Sequence, residues 1–211
     1  MSRPILITAG ATRNPLDAIR YLSAFSSGST GVGLARALSV DRTVTLLGSA
    51  EACLRAGEDI NTEEFTSTRD LMARMERWVR THPDGVVVHA SAVGDYEAVP
   101  DDEGSGPAKI PSGKSELLLR LRPTPKIVDH IHSWSPDVRL ISFKAASPET
   151  TDARLVEIAE AQRVRTGSVL VFANIIGRLQ EGVLLQGADG ASWHSTRPAA
   201  LAALTEAIAH L

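Results

Sequence analysis

The segment at positions 26–31, SSGSTG, combines residue types that bind phosphate groups, and a helical pattern follows it over residues 32–38. The first amides of a helix have no partner within the helix, and the helix dipole places partial positive charge there, so such a turn favours an anion. The alternative is a helix that these serines simply cap. The residues Ser26, Ser27 and Gly28 taken alone favour this alternative.

A buried strand is predicted directly before this turn. Residues 5–7 (ILI) have the continuous apolar pattern of a strand that is covered on both faces, and small residues follow at 9–11. Gly10 would let a ligand approach the backbone closely. The glycines at 28–33 do not follow the GxGxxG spacing directly after a strand, so the dinucleotide fingerprint is a poor match. We therefore interpret residues 5–31 as a nucleotide or phosphate site.

Asp95 is a candidate carboxylate at the same edge of the predicted sheet. It follows the apolar run at 85–90 (GVVVHA) within the segment SAVGDY at 91–96. Ligands of parallel sheets bind beyond the carboxyl ends of the strands, so Asp95 is expected near residues 10–31. Asp95 could hold a ribose hydroxyl, a metal or a substrate amide, or it could cap a loop or helix. The position of Asp95 in the sequence does not favour the binding role over the capping role.

The segment 97–115 is rich in Pro, Gly and Asp, which predicts a loop, and it contains Lys109 and Lys114. A loop of this kind beside a phosphate site could close over a nucleotide as a lid. The flexible point charge of lysine suits a polyphosphate whose geometry changes during reaction. The alternative, a solvated surface lysine, is favoured for Lys114.

Phe143 and Asn174 stand at the ends of two further predicted strands, at 139–144 and 168–173. An aromatic ring and an amide at the ligand edge of a sheet could hold an adenine or cytosine base. The alternatives are core packing for Phe143 and a turn position for Asn174.

The alternation of apolar runs and helical patterns predicts an α/β fold. We expect a Rossmann-like three-layer sandwich with a mainly parallel central sheet, a lid loop at about 97–115 and a C-terminal hairpin and helix. The remaining elements are predicted strands at 43–47, 59–65 and 117–122, helices at 68–79, from Pro125 to about 133 and at 151–165, a hairpin at 182–194, and a terminal helix at 198–211.

The composition bounds the function classes. The chain has 211 residues with 43% hydrophobic content, which suits a single domain over 1–211. A net charge of −3 without a basic stretch argues against nucleic-acid binding, and no apolar segment suggests a membrane span. The one cysteine, Cys53, fits a reducing compartment, so we expect a cytoplasmic protein. The six histidines are scattered, and no metal ligands are predicted.

Eight segments resemble, in chain order, those of phosphopantothenoylcysteine synthetases, also called phosphopantothenate–cysteine ligases, of coenzyme A biosynthesis. They are TAGAT (8–12), DAIR (17–20), FSSGSTG (25–31), SAVGDY (91–96), KI (109–110), PKIV (125–128), ISFK (141–144) and ANI (173–175). The resemblance covers nearly the whole chain, and its opening segments are the most specific. The last two segments look closer to the eukaryotic form, which uses ATP, than to the bacterial form, which uses CTP. We expect a stand-alone form without the usual fused flavin decarboxylase half.

The resemblance implies a two-step ligation, usually with Mg²⁺ and with ATP or CTP as co-substrate. The nucleotide activates the carboxylate of 4′-phosphopantothenate as an acyl-nucleotidylate and releases pyrophosphate, and the amine of L-cysteine then attacks. It also implies a homodimer in which Arg20 reaches the substrate of the neighbouring subunit. The residues it assigns are Gly10, Ser26, Ser27, Gly28, Gly31, Phe143 and Asn174 for the nucleotide, Arg20, Ala24, Ala92 and Asp95 for the substrate, and Lys109 and Asp95 for catalysis.

Ala24 departs from the family pattern, which has an asparagine here that helps to hold the acyl intermediate. Alanine has no side-chain donor, and losing one donor at an oxyanion-type site costs about 10²–10³ in rate. The bacterial lid motif KxKK is also reduced to KIPS at 109–112. Three interpretations stay open: a slow ligase, a ligase with a substitute donor such as Ser23, and a non-catalytic or altered-substrate relative. An NAD(P)-dependent oxidoreductase is the weakest alternative, because the glycine spacing is wrong and a Tyr-x-x-x-Lys pair is absent.

Overall fold

The computed structural model describes residues 2–99, 109–110, 115–178 and 181–211. In chain order its elements are β1 (Ile5–Ala9), β2 (Arg13–Pro15), β3 (Tyr21–Ser23), α1 (Ser29–Leu38), β4 (Val44–Gly48), α2 (Ala50–Ala56), β5 (Thr62–Glu64), α3 (Thr68–Thr81), β6 (Val86–His89), β7 (Tyr96–Ala98), β8 (Leu121–Pro123), α4 (Ile127–Trp134), β9 (Arg139–Ala146), α5 (Asp152–Thr166), β10 (Leu170–Ile175), β11 (Val183–Gly187), β12 (Gly190–His194) and α6 (Arg197–Ala209). Among the helices within those residues, none combines the length and apolar character needed to cross a bilayer.

The central sheet has eight strands in the order β12-β11-β10-β9-β6-β1-β4-β5. The six strands from β10 to β5 in this order are parallel, and β11 and β12 continue the sheet as an antiparallel hairpin. The chain passes from β1 to β4 on one side and returns through β6 on the other side of β1. The strand order therefore reverses between β1 and β6, which is where open α/β sheets bind their ligands.

Helices cover both faces of the sheet because alternate side chains of the strands enter two different cores. On one face, Ile5 and Ile7 of β1 belong to a buried cluster with residues of α1, α2 and α6. On the other face, Leu6 packs in a cluster with α3 and α4, and α5 covers β10 and β11 through a third cluster. The predicted three-layer α/β fold with a mainly parallel sheet is thereby confirmed.

The strand predicted at 117–122 is wrong in extent and position. The structure has only the short strand β8, which pairs antiparallel with β7 outside the main sheet. Leu118 shows why, since its side chain is 84% exposed and no core covers this apolar run. The next helix begins at Ile127 with Lys126 as its N-cap residue, two positions later than predicted from Pro125. Of the predicted lid loop, residues 100–108 and 111–114 lie outside the described residues.

A two-stranded ribbon, β2 and β3, lies in a segment for which no element is predicted above. It connects β1 to the turn at 26–31 and pairs Arg13 with Ser23 and Pro15 with Tyr21. A strand of three residues is too short to show the alternation of apolar and polar side chains that marks a strand. The ribbon could therefore not be recognised from the sequence.

The residues before β1 and the end of α6 lie together at the edge where the parallel strands begin. The Arg3 guanidinium donates to the carbonyl of Leu211. Arg42 Nη1 donates to the carbonyl of Ala209 at 3.0 Å, and its Nη2 donates to the carbonyl of Arg3 at 3.3 Å. This edge is opposite the carboxyl ends of the strands.

Candidate functional site

The turn at 26–31 leads into α1 without a side-chain cap. Gly28 occupies the N-cap position with a left-handed φ of 72° and provides no side-chain cap. The hydroxyls of Ser26 and Ser27 lie 3.4 and 3.5 Å from the amides of Gly28 and Ser29, at the long limit of a hydrogen bond. Four other helices have side-chain caps, from Ser49, Ser67, Thr151 and Thr196. The N-cap residue of α1 thus supplies no cap, and the two serines before it reach the backbone amides through long contacts.

Close packing explains the glycines of the turn. A Cβ on Gly28 would come within 2.6 Å of the Ala52 Cβ and 2.9 Å of the Gly10 amide nitrogen. Gly10 itself has a φ of 89°, which L side chains rarely adopt. A Cβ on Gly31 would stand 2.7 Å from the Ala9 Cβ. The structure thus brings these three predicted site residues together at the carboxyl end of β1.

A cavity of about 500 Å³ opens beside this turn. Its volume lies in the usual range for small-molecule sites. The Arg13 guanidinium lies over the Tyr21 ring at 5.1 Å and places a positive charge on the cavity wall. Ala24 is part of the wall and contributes no polar side-chain atom. The lining residues are Ala11, Arg13, Tyr21, Ser23, Ala24, Phe25, Ser26, Ser27, Ser49 and Glu51.

The loop after β6 is tied to the end of β1 by backbone hydrogen bonds. The Ala92 amide donates to the Gly10 carbonyl at 2.9 Å, and the Thr12 amide donates to the Ala92 carbonyl at 3.1 Å. The Asp95 carboxylate forms an ion pair with Lys126, and each of these side chains is 61% exposed. Lys126 was missed as a site residue in the sequence, because its partner is 31 positions away.

A second, smaller cavity of about 130 Å³ lies where β6 and β9 end. Asp95 and Phe143, two of the predicted site residues, both line it. The complete lining is His89, Ser91, Val93, Asp95, Pro125, Lys126, Ile127, Val128, Phe143 and Gln162.

Phe143 also packs in the core, which is the alternative that the sequence analysis gave for this residue. Its ring stacks on that of Phe172 with centroids 4.6 Å apart. Asn174 is buried in β10 opposite Ala145, two positions beyond Phe172 and therefore on the same face of the sheet. Phe143 and Asn174 thus come to one part of the sheet edge, on the face that α1 covers.

Arg197, the first residue of α6, is a charged residue near the turn that sequence reasoning missed. Its Nη2 donates to the Thr30 hydroxyl in the first turn of α1 at 2.8 Å. The guanidinium lies 5.2 Å from the ring centroid of Phe172. Burial lowers the pKa of Arg197 from its ordinary value. The sequence offers no signal for this contact, because the two residues are 167 positions apart.

Arg20 binds within its own chain. It forms an ion pair with Asp17 at 2.9 Å and donates to the Ile110 carbonyl at 2.6 Å. The Ile110 amide donates in turn to Asp17 at 2.9 Å. The backbone N–H of Ile19 holds the pKa of the Asp17 carboxyl below its usual value. These bonds fix Ile110, and with it the neighbouring Lys109, to the turn at 17–20.

Metal ligation by the protein alone has no support in the part of the chain that the structure describes. There, no three His, Cys, Asp or Glu side chains are grouped so that they could hold a metal ion. Asp95, the exposed carboxylate of the site, is already engaged by Lys126.

Residues 1–192 match the family model of the DNA/pantothenate metabolism flavoprotein C-terminal domain. The chain belongs to this family. Its resemblance to phosphopantothenoylcysteine synthetases is thereby confirmed. The coenzyme A biosynthesis bifunctional protein CoaBC of Thermococcus kodakarensis is 35% identical over 189 residues, which are 88% of this chain and 45% of that protein. CoaBC of Mycobacterium tuberculosis is 25% identical over an alignment of 227 positions that covers 98% and 52% of the two chains.

A solved structure of a family member supports the architecture. The DNA/pantothenate metabolism flavoprotein from Streptococcus pneumoniae is 25% identical, covers 99% of each chain and superposes with a TM-score of 0.84. The chain spans about half the length of the curated bifunctional relatives that it matches. The similarity between this chain and the bifunctional relatives is therefore limited to one part of those proteins.

Proposed function

We propose that this chain is a phosphopantothenate–cysteine ligase that joins 4′-phosphopantothenate to L-cysteine at the expense of a nucleoside triphosphate. The observation that carries the proposal is the uncapped N-terminus of α1, packed on Gly10 beside the loop that bears Asp95. The first-turn amides favour phosphate, and the strand order reverses next to them. Membership of the family and the CoaBC relatives, named for coenzyme A biosynthesis, support the same conclusion.

The reaction needs positioning and charge neutralisation more than it needs a strong acid or base. A carboxylate oxygen of the acid attacks the α-phosphorus, the bond to the bridging oxygen breaks, and pyrophosphate leaves. The cysteine amine then attacks the acyl carbon, the nucleoside monophosphate leaves, and the nitrogen loses a proton. In this proposal the amides of residues 29–31 and the Lys109 ammonium face the phosphate charge, while Ala92 and Asp95 contact the acid.

The nucleotide base would lie near Phe143 and Asn174, which share one face at the sheet edge. A flat ring and an amide suit both adenine and cytosine, so ATP and CTP are both candidates. Mg²⁺ would enter on the triphosphate, because this ion favours phosphate oxygens and retained waters.

A homodimer is part of the proposal, and the β7–β8 ribbon is the surface that we assign to it. Exposed apolar side chains concentrate there, which marks an interaction surface. They are Tyr96, Leu117, Leu118, Leu119 and Leu121. In the dimer Arg20 would exchange its bond to the Ile110 carbonyl for the substrate of the partner. Sedimentation equilibrium is expected to give a mass of twice the chain, whereas a monomer at micromolar concentration would contradict this part of the proposal.

A pyrophosphate assay with purified protein tests the function directly. Nucleotide, Mg²⁺, 4′-phosphopantothenate and cysteine are expected to give pyrophosphate and the amide, with either ATP or CTP the better substrate. Pyrophosphate without cysteine would report the first step alone. If neither nucleotide gives a cysteine-dependent product, the ligase assignment is wrong.

Lys109→Ala is expected to lower kcat by about 10²-fold, because one positioned donor to developing charge is lost. The free energy of unfolding should stay the same, since Lys109 is exposed and supports no core. Lys109→Arg, which keeps the charge, serves as the matched control and should retain more activity. Equal turnover of the Ala and unaltered proteins would remove Lys109 from the mechanism.

A nucleotide-binding relative without ligase activity is the second candidate, and Ala24 is the observation that favours it. This residue lines the 500 Å³ cavity with a methyl group only. Tight nucleotide binding without pyrophosphate release would support this candidate. Pyrophosphate release by Ala24→Asn, but not by the unaltered chain, would trace the lost chemistry to this position.

A further inference from the structure

His89 and Ser91 form a polar pair at the end of β6 that the ligase proposal does not use. His89 is 7% exposed, and its Nδ1 lies 3.0 Å from the Thr8 hydroxyl oxygen. The same oxygen accepts from the Ser91 amide at 3.1 Å. Both side chains line the 130 Å³ cavity. Thr8 therefore fixes the ring of His89 and the backbone of Ser91 in one arrangement.

Counting protons assigns the tautomer of His89. The Thr8 hydroxyl accepts the Ser91 N–H and has one proton of its own to donate. Donating it to Nδ1 of His89 satisfies both groups and leaves the ring proton on Nε2. The opposite tautomer would leave the Thr8 proton without an acceptor in a fully buried side chain. His89 accordingly carries an Nε2–H donor, and the residue lines the cavity.

Ser91 supplies a second donor. Its hydroxyl oxygen is buried and, among the described residues, has no hydrogen-bond partner. Leaving a buried hydroxyl unpaired is costly, so such a group points to a ligand or an ordered water. Lys126 lines the same cavity, where its ammonium pairs with the Asp95 carboxylate. The cavity is thus lined by two neutral donors and by the Lys126–Asp95 ion pair.

We propose that this cavity is a carboxylate subsite in which the His89 Nε2–H and the Ser91 hydroxyl hold one carboxylate group, for which the Lys126 ammonium exchanges the carboxylate of Asp95. Donors combined with a cation suit an anionic oxygen group. The cavity, about 130 Å³, is much smaller than the 500 Å³ cavity beside the turn, so a small group such as a carboxylate suits it better than a nucleotide does. The inference rests on the proposed ligase function. The carboxylate then belongs either to the acid substrate or to the amino acid.

Ser91→Ala is the sharpest variant, because it removes one oxygen atom and nothing else from the cavity. It is expected to raise the KM for the substrate that owns the carboxylate by about ten- to a hundredfold. The KM for the nucleotide should not change. Ser192→Ala, on the edge strand β12, is the control and should leave all three KM values unaltered.

Two measurements distinguish the sources of the carboxylate. Single-turnover pyrophosphate release without cysteine gives the apparent dissociation constant for 4′-phosphopantothenate, and amide formation at saturating acid gives the KM for cysteine. A rise in the first value alone assigns the subsite to the acid, and a rise in the second alone assigns it to the amino acid. Unchanged values for both substrates overturn the inference while the ligase function stands.

Variants of His89 and Lys126 show whether these residues bind the ligand or only support the structure. His89→Gln keeps an amide donor and should retain more affinity than His89→Leu. Lys126→Met should raise the KM for the same substrate whose KM is raised by Ser91→Ala. If the unaltered chain releases no pyrophosphate, the ligase function fails, and calorimetry with each substrate then tests the subsite. Equal affinities of the unaltered and Ser91→Ala proteins overturn the subsite, and no binding of either substrate overturns both proposals.

Discussion

Gly31→Ala is expected to lower the free energy of unfolding by about 1–3 kcal/mol, the usual cost of overpacking a filled interior. A Cβ at this position would stand 2.7 Å from the Ala9 Cβ and 3.0 Å from the Thr8 carbonyl oxygen. Both neighbours belong to β1, a central strand, so α1 must move away from the sheet. The displaced first turn should also bind the nucleotide less tightly.

Gly33→Ala is the matched control, two residues further along the same helix. A Cβ there would meet no atom within 4 Å. The exchange of glycine for alanine in a helix interior should therefore stabilise the protein by about 0.5–1 kcal/mol. Urea unfolding followed by circular dichroism measures both values, and nucleotide titration measures the change in affinity. If the two variants were equally stable, α1 would not pack on β1 as described.

Lowering the pH from 7 to 5 is expected to destabilise the protein by about 2 kcal/mol through His89 alone. Burial lowers the pKa of His89 from 6.5 to about 4. The unfolded chain therefore binds a proton at this residue at a higher pH than the folded chain does. Between these two pKa values stability falls as the pH falls, and the loss is complete below pH 4.

Urea unfolding at several pH values checks this prediction. His89→Gln should show a shallower fall between pH 7 and pH 5, because glutamine does not titrate. His130→Gln, an exchange on the surface of α4, is the control and should keep the dependence of the unaltered protein. The lowered pKa of Glu97, due first to its hydrogen bond from Arg69, affects stability only at lower pH. Parallel curves for His89→Gln and the unaltered chain would contradict the assignment of a buried, neutral imidazole.

The sheet could be predicted because its strands are apolar on both faces. The runs at 5–7 and 86–88 have no polar position, which indicates strands between two helical layers. The leucines at 117–121 have the same local pattern but lie exposed. Periodicity shows that a segment is apolar and gives no information on which surface covers it. That surface is decided by tertiary structure or by a partner.

The position of the turn at 26–31 beside Gly10 could be predicted for a similar reason, since its strand, loop and helix are contiguous in the chain. Lys126 and Arg197 could not, because they reach the site by contacts across 31 and 167 positions. Such contacts depend on the order of strands in the sheet and leave no local pattern. The role proposed for Ser91 was equally hidden, because it rests on a buried oxygen that has no partner among the described residues, and a loop serine gives no sign of this in the sequence.

The contact of Arg3 with Leu211 makes the chain suitable for circular permutation. The two ends can be joined by a short linker without crossing the site, because they meet at the opposite edge of the sheet. New ends could then be opened between Ala188 and Asp189, in the tight turn that connects β11 to β12. Exposed turns of this kind are where circular permutation is tolerated. Affinity tags or fluorescent reporters attached beside Arg3 or Leu211 would likewise stay clear of the proposed nucleotide site.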